Sequence, residues 1–137
     1  MRQREGVFVD SGAWIALAIE GDAMHDAAVE LWELLRRNGA RLYTSIPVVI
    51  ETFTFLDRIA NRNAALSWKG AIDELRLKLL QCDRRDLENA WDFFRSTEFH
   101  KLSAVDATSF VLMKRNRIGL AFTFDYHFAV AGFRLVS

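Results

Sequence analysis

Four acids stand at positions from which they could do chemistry together. Asp10 ends the apolar run Val7 to Val9, and Glu51 lies among Val48, Val49, Ile50, Phe53 and Phe55. Asp106 falls in "KLSAVDATSF" at the start of a helical pattern, and Asp125 closes the strand-like "LAFTF". Aspartate is a poor strand former, and an unpaired carboxylate is costly to bury. Like charges a few ångströms apart repel strongly in a low-dielectric cleft, so if the four converge, protons or a hard cation must neutralise them. Oxygen donors without a cysteine or histidine cluster favour Mg²⁺ or Mn²⁺, held by a few carboxylates together with substrate phosphate. That arrangement suits phosphodiester hydrolysis and needs no side-chain nucleophile.

Plainer roles compete. Asp10 could cap the helix that follows it, and Asp106 could complement a helix dipole. Glu51 and Asp125 resist such readings, because a carboxylate in apolar surroundings needs a partner.

The elements that must position these acids alternate between short apolar strands and helices. "EGVFVDSG" reads as a strand and a turn, with a helix from Ala13. "GDAMHDAAVELWELLRRNG" reads as a helix capped by Asp22 and stopped by Gly39, with Ala28, Leu31, Trp32 and Leu35 on its inner face. "ARLYTS" gives a second strand. Ser45 then caps a helix with Pro47 in its first turn, where the missing N–H does no harm. Residues 64 to 96 read as mostly helical, with a short strand around Leu79 to Cys82 and a new helix start at Asp83 to Asp86. Ser103 caps a further helix, which Gly119 stops; a strand from Leu120 to Phe124 follows, and "FRLVS" supplies an edge strand. This order predicts an α/β fold on a mostly parallel sheet, formed by residues 1–137 as a single domain. Ligands in such sheets collect at the carboxyl ends of the strands, where Asp10 and Asp125 stand.

Composition narrows the partners. Eighteen basic residues balance eighteen acidic ones, so net charge argues neither for nor against nucleic acid. Cys82 is the single cysteine and can form no internal disulfide. With no leader-like start and no apolar run near the ~20 residues of a membrane span, a cytoplasmic protein with no membrane association is expected. Four Trp and eleven Phe predict a solid core and a surface for self-association.

"VFVDSGAWIAL", "IPVVIETFTFL" and "LSAVDATSFVLMKRNRIGLAFTFDYHF" together resemble the PIN-domain family, most closely the VapC-type toxin ribonucleases of toxin–antitoxin pairs. The resemblance covers nearly the whole chain and is loosest from Asn63 to Glu98. It implies a three-layer α/β/α domain and a Mg²⁺- or Mn²⁺-dependent endoribonuclease whose partners are an RNA substrate, a cognate antitoxin and a second copy of itself. Asp10, Glu51, Asp106 and Asp125 match the family's acidic quartet as catalytic and metal-binding residues. Ser11 and Thr123 match polar positions beside the first and last acids. Gly12 stands where a Ser or Ala is frequent, which removes no proposed ligand.

An RNA substrate needs nearby cations. On one continuous helix of about 100° per residue, Arg58 and Arg62 share a stripe with Glu51, and Arg117 bears the same relation to Asp106. Solvated helix ends explain these arginines equally well. His25, His100 and His127 lack metal-ligand spacing, and His127 reads as a loop residue. The alternative to an enzyme is a non-catalytic α/β interaction module whose acids are helix caps. Nucleotide sites are unsupported, since no Walker-type or G-x-G-x-x-G loop is present.

Overall fold

The computed structural model describes residues 4–137. The chain runs β1 (Gly6–Val9), α1 (Ser11–Ala18), α2 (His25–Arg37), β2 (Arg41–Ser45), α3 (Ile46–Ile59), α4 (Arg62–Asp73), β3 (Leu77–Leu80) and α5 (Arg84–Ala90). A 3₁₀ turn at Trp91–Arg95 leads to α6 (Ala104–Arg115), β4 (Leu120–Phe122), α7 (His127–Val130) and β5 (Arg134–Leu135).

All five strands join one sheet in the order β3-β2-β1-β4-β5, and every pairing is parallel. Val7 sits opposite Leu42 on one side and Leu120 on the other, which makes β1 central. Val7, Phe8 and Val9 are all fully buried, so both faces of β1 are covered. That is the mark of a parallel sheet sandwiched between helices. The α/β/α expectation therefore holds.

The aromatic load divides into two core clusters. Trp14 packs against Trp32 at 5.8 Å and Trp68 at 6.1 Å, tying α1, α2 and α4 together. Around α6, Phe110 meets Phe128 edge-on at 4.9 Å and Phe93 at 5.1 Å.

Local chemistry fixes the helix that carries Glu51. Ser45 Oγ accepts the Val48 amide at 3.2 Å, and Pro47 lies in the first turn, as expected. Ser103 Oγ likewise accepts the Asp106 amide at 3.0 Å. Asp83 and Asp86 complete a reciprocal capping box at the start of α5.

Several boundaries depart from expectation for identifiable reasons. Asp22 does not cap α2; its carboxylate accepts the Met24 amide in the preceding turn, and the helix begins at His25. At the other end of α2, Gly39 does adopt the left-handed φ of +62° that a helix stop requires. The stretch after Glu51 is two helices: α3 ends at Ile59, and Asn61 Oδ1 starts α4 by accepting the Ala64 amide at 2.8 Å. After α6 the left-handed position is Arg117, at φ +57°, while Gly119 lies two residues beyond. Strand β3 begins at Leu77, two residues early, and β4 ends at Phe122, where Thr123 turns its hydroxyl to hold the acids on either side.

Candidate active site

Strand order places β2 and β3 on one side of β1 and β4 and β5 on the other, so the connections diverge between β1 and β4. In open parallel sheets that point, outside the carboxyl ends of the strands, is where ligands bind. Asp10 follows β1, and Asp125 follows β4, so both border it. The Asp10 amide makes the last rung to Phe122 at 3.0 Å, and its carbonyl accepts the Ala13 and Trp14 amides that begin α1. The backbone is thus fully engaged, while the side chain makes no cap to the helix.

One hydroxyl couples the first and last acids. Thr123 Oγ1 accepts the Asp125 amide at 3.0 Å, so its own proton is free to go to Asp10 Oδ2 at 2.9 Å. From α3, Glu51 Oε1 accepts the Ser11 hydroxyl at 2.6 Å. Ser103 holds the Asp106 amide at the start of α6.

Two of the four acids are held away from their ordinary titration. Asp10 is pushed up to about 6, first by burial and further by the charges of Glu51 and Asp125, against the easing effect of Thr123 and the Ser11 amide. Asp106 is pushed up to about 8, again mainly by burial, then by Asp10, by its hydrogen bond with Asp125, and by the charges of Asp125 and Glu51. Asp10 is only 3% exposed, and its Oδ1 has no hydrogen-bond partner among the described residues. A buried orphan oxygen beside carboxyls that resist ionisation could accept a cation, and the oxygen-rich donor set fits a hard divalent ion.

The PIN domain family matches residues 7–134 of this sequence. The chain belongs to the PIN-domain family. It is 36% identical over 128 residues to "23S rRNA-specific endonuclease VapC20" of Mycobacterium tuberculosis, covering 93% of this chain and 95% of the relative. The crystal structure of that protein, described as a Sarcin-Ricin loop cleaving toxin, superposes with a TM-score of 0.83 at 32% identity and covers 93% of this chain and 95% of that one. Two more distant structures share the fold alone. VapBC2 from Rickettsia felis, bound to a promoter DNA fragment, has a TM-score of 0.70 at 12% identity and covers 95% of this chain and 96% of that one. FitAcB from Neisseria gonorrhoeae gives 0.67 at 14%, covering 96% of each chain.

Within this PIN domain the arginines divide. Arg58 projects from α3 into an apolar groove of about 860 Å³ that runs beside Glu51 and includes Ile50, Phe55 and Leu87. Glu51 is the sole member of the acidic four to line that groove, so the groove lies next to the acids and not over them. Arg62 does not share a helical stripe with Glu51, because the chain breaks at Ala60 and Asn61; it forms an exposed ion pair with Asp57. Arg117 lies beyond the end of α6, in the turn leading into β4, and so at the opposite edge of the sheet from Asp106 and Asp125.

His127 is the residue that sequence reasoning undervalued. It begins α7 and is 7% exposed, with its amide on Asp125 Oδ1 at 2.9 Å. One ligand atom from each of Asp106, Asp125 and His127 lies within 4.8 Å of the others. The two-residue step from Asp125 to His127 is the available signal in the sequence, and it matches no familiar spacing for histidine ligands, so a loop role or a substrate contact explains it equally simply.

Proposed function

We propose that this PIN domain is a divalent-metal-dependent endoribonuclease and the toxin of a toxin–antitoxin pair, acting in the cytoplasm. The observation that carries the reading is Asp10: a buried carboxylate at the sheet's switch point, held by Thr123, with one oxygen unpartnered and three further acids in its field. Helix capping, the alternative role, is not what its side chain does. Similarity to VapC20 extends the proposal to a structured loop of 23S rRNA as substrate. A cognate antitoxin and a homodimer complete the assembly proposed.

Asp10, Asp106, Asp125 and Glu51 would hold Mg²⁺ or Mn²⁺, which when bound supplies Lewis-acid chemistry at the phosphodiester. Thr123 fixes the Asp10 carboxylate and the Asp125 backbone relative to each other, and Ser11 fixes Glu51. These hydroxyls set the donors before substrate arrives, which limits the reorganisation needed in the reaction. Arg58, which lines the groove beside Glu51, would meet a phosphate of an RNA strand passing there.

The test is Asp10→Asn, a change that keeps volume and the ability to accept from Thr123. The purified variant should retain its circular dichroism spectrum and lose cleavage of an rRNA loop fragment in Mn²⁺ or Mg²⁺ buffer. Full cleavage by a folded Asp10→Asn protein would refute the proposal.

A further inference from the structure

The histidine beside the acids is held in the manner of a metal ligand. His127 Nε2 lies 2.7 Å from the carbonyl oxygen of His100. A carbonyl only accepts, so Nε2 carries a proton and Nδ1 is the ring atom left to face the acids, where an imidazole bearing one proton presents its lone pair. Nδ1 is buried without a hydrogen bond, and it lies 2.8 Å from Asp125 Oδ1 without the in-line geometry of one. The ring is fixed on a second side by Tyr126, which stacks on it at 4.6 Å and 26°. A ring nitrogen donating to a backbone carbonyl while the other faces carboxylates is the usual outer support of a ligating histidine.

We propose that His127 Nδ1 is a direct ligand of the divalent ion, beside Asp106 and Asp125, and that this nitrogen gives the site a preference for Mn²⁺ over Mg²⁺. The proposal rests on the metal-dependent reading above and deepens it. Oxygen donors alone discriminate poorly between the two ions. An imidazole favours the transition metal, because Mg²⁺ is hard and parts reluctantly with its waters. With Asp106 at the start of α6 and Asp125 and His127 flanking the start of α7, the donors come from two separate elements. The Asp125 to His127 step holds two of them on one short turn, since the His127 amide is itself bound to Asp125 Oδ1.

The experiment is electron spin-echo spectroscopy of Mn²⁺ bound to the full chain, with Mn²⁺ and Mg²⁺ affinities measured by calorimetry and no RNA present. The expected wild-type signal shows nitrogen-14 coupling of a directly bound imidazole, which changes to the nitrogen-15 pattern when histidine alone is labelled. His25→Gln and His100→Gln keep that coupling. His127→Gln loses it and binds Mn²⁺ at least tenfold more weakly, the lower end of what even outer-sphere partners contribute, while Mg²⁺ affinity changes less. Should His127→Gln fail to fold, the labelled wild-type spectrum decides alone. Mn²⁺ bound with no coordinated nitrogen overturns the role of His127 and leaves the nuclease proposal standing. No Mn²⁺ binding at all overturns both.

Discussion

Asp106→Asn should make the metal-free protein more stable, and the size of the gain should depend on pH. An unfolded aspartate titrates at 3.8 and this one at about 8 when folded, so between those values the native state holds a proton that the unfolded chain has shed. Stability is therefore full below about pH 4, falls as pH rises, and levels once the folded group has ionised. The rise from 3.8 to about 8 corresponds to on the order of 6 kcal/mol as a ceiling. Most of that rise is the cost of burying the charge, the repulsive part is shared with Asp10, and asparagine gives up a favourable first-turn charge of about 0.3–1 kcal/mol. About 3 kcal/mol is a sound expectation near pH 8, which for a domain of this size is about 10 °C in Tm. Differential scanning calorimetry in chelator at about pH 8 and about pH 5 measures it, and the gain should shrink severalfold at the lower pH. Saturating Mn²⁺ should close the gap by stabilising wild type, at about 2.7 kcal/mol for a concentration one hundred times Kd, and should do little for the variant. A variant that melts below wild type at pH 8, or a gain unchanged at pH 5, would show that Asp106 is a structural carboxylate and that the four acids do not repel as described.

Three further changes probe the supports of the site. Thr123→Val keeps shape but removes the proton given to Asp10 and the acceptor of the Asp125 amide; Mn²⁺ affinity by calorimetry should fall about 10- to 100-fold. Arg58→Ala should lower the salt dependence of RNA binding by about one unit of slope, whereas Arg62→Ala, already paired with Asp57, should leave it unchanged; binding at several salt concentrations separates them. Ser45→Ala removes the cap of α3 and should cost about 1 kcal/mol in urea unfolding, with the slope of the transition unaltered.

How much of this was legible in the sequence depended on whether the signal was local. Ser45, Ser103 and the Asp83–Asp86 pair act over three residues, and each caps the helix that its neighbours suggest. The apolar runs of β1 and β4 are short and continuous because both faces of the sheet are covered, so they read clearly. Asp22 misled because it too accepts a nearby amide, two residues on, in a turn one step ahead of the helix. The Arg62 stripe failed for a related reason. Extrapolating 100° per residue presumes an unbroken helix, and Asn61 offers the Ala64 amide a new cap before the stripe is complete.

The site itself was legible as a set of residue types and not as a set of contacts. Asp10 and Thr123 are 113 positions apart, and no periodicity connects them; their hydrogen bond exists because β1 and β4 are neighbours with Val9 opposite Phe122. That register delivers the residue after each strand to the same edge of the sheet, so the parallel pairing of two apolar strands brings Asp10 beside Thr123. An acid just beyond each central strand therefore sits at the same end of the sheet, and burial first, with the neighbouring charges after it, raises Asp10 and Asp106. Buried carboxyls with raised titration, gathered at one end of a sheet, make metal-free stability, and not activity alone, the sharper test of the metal site proposed for this PIN domain.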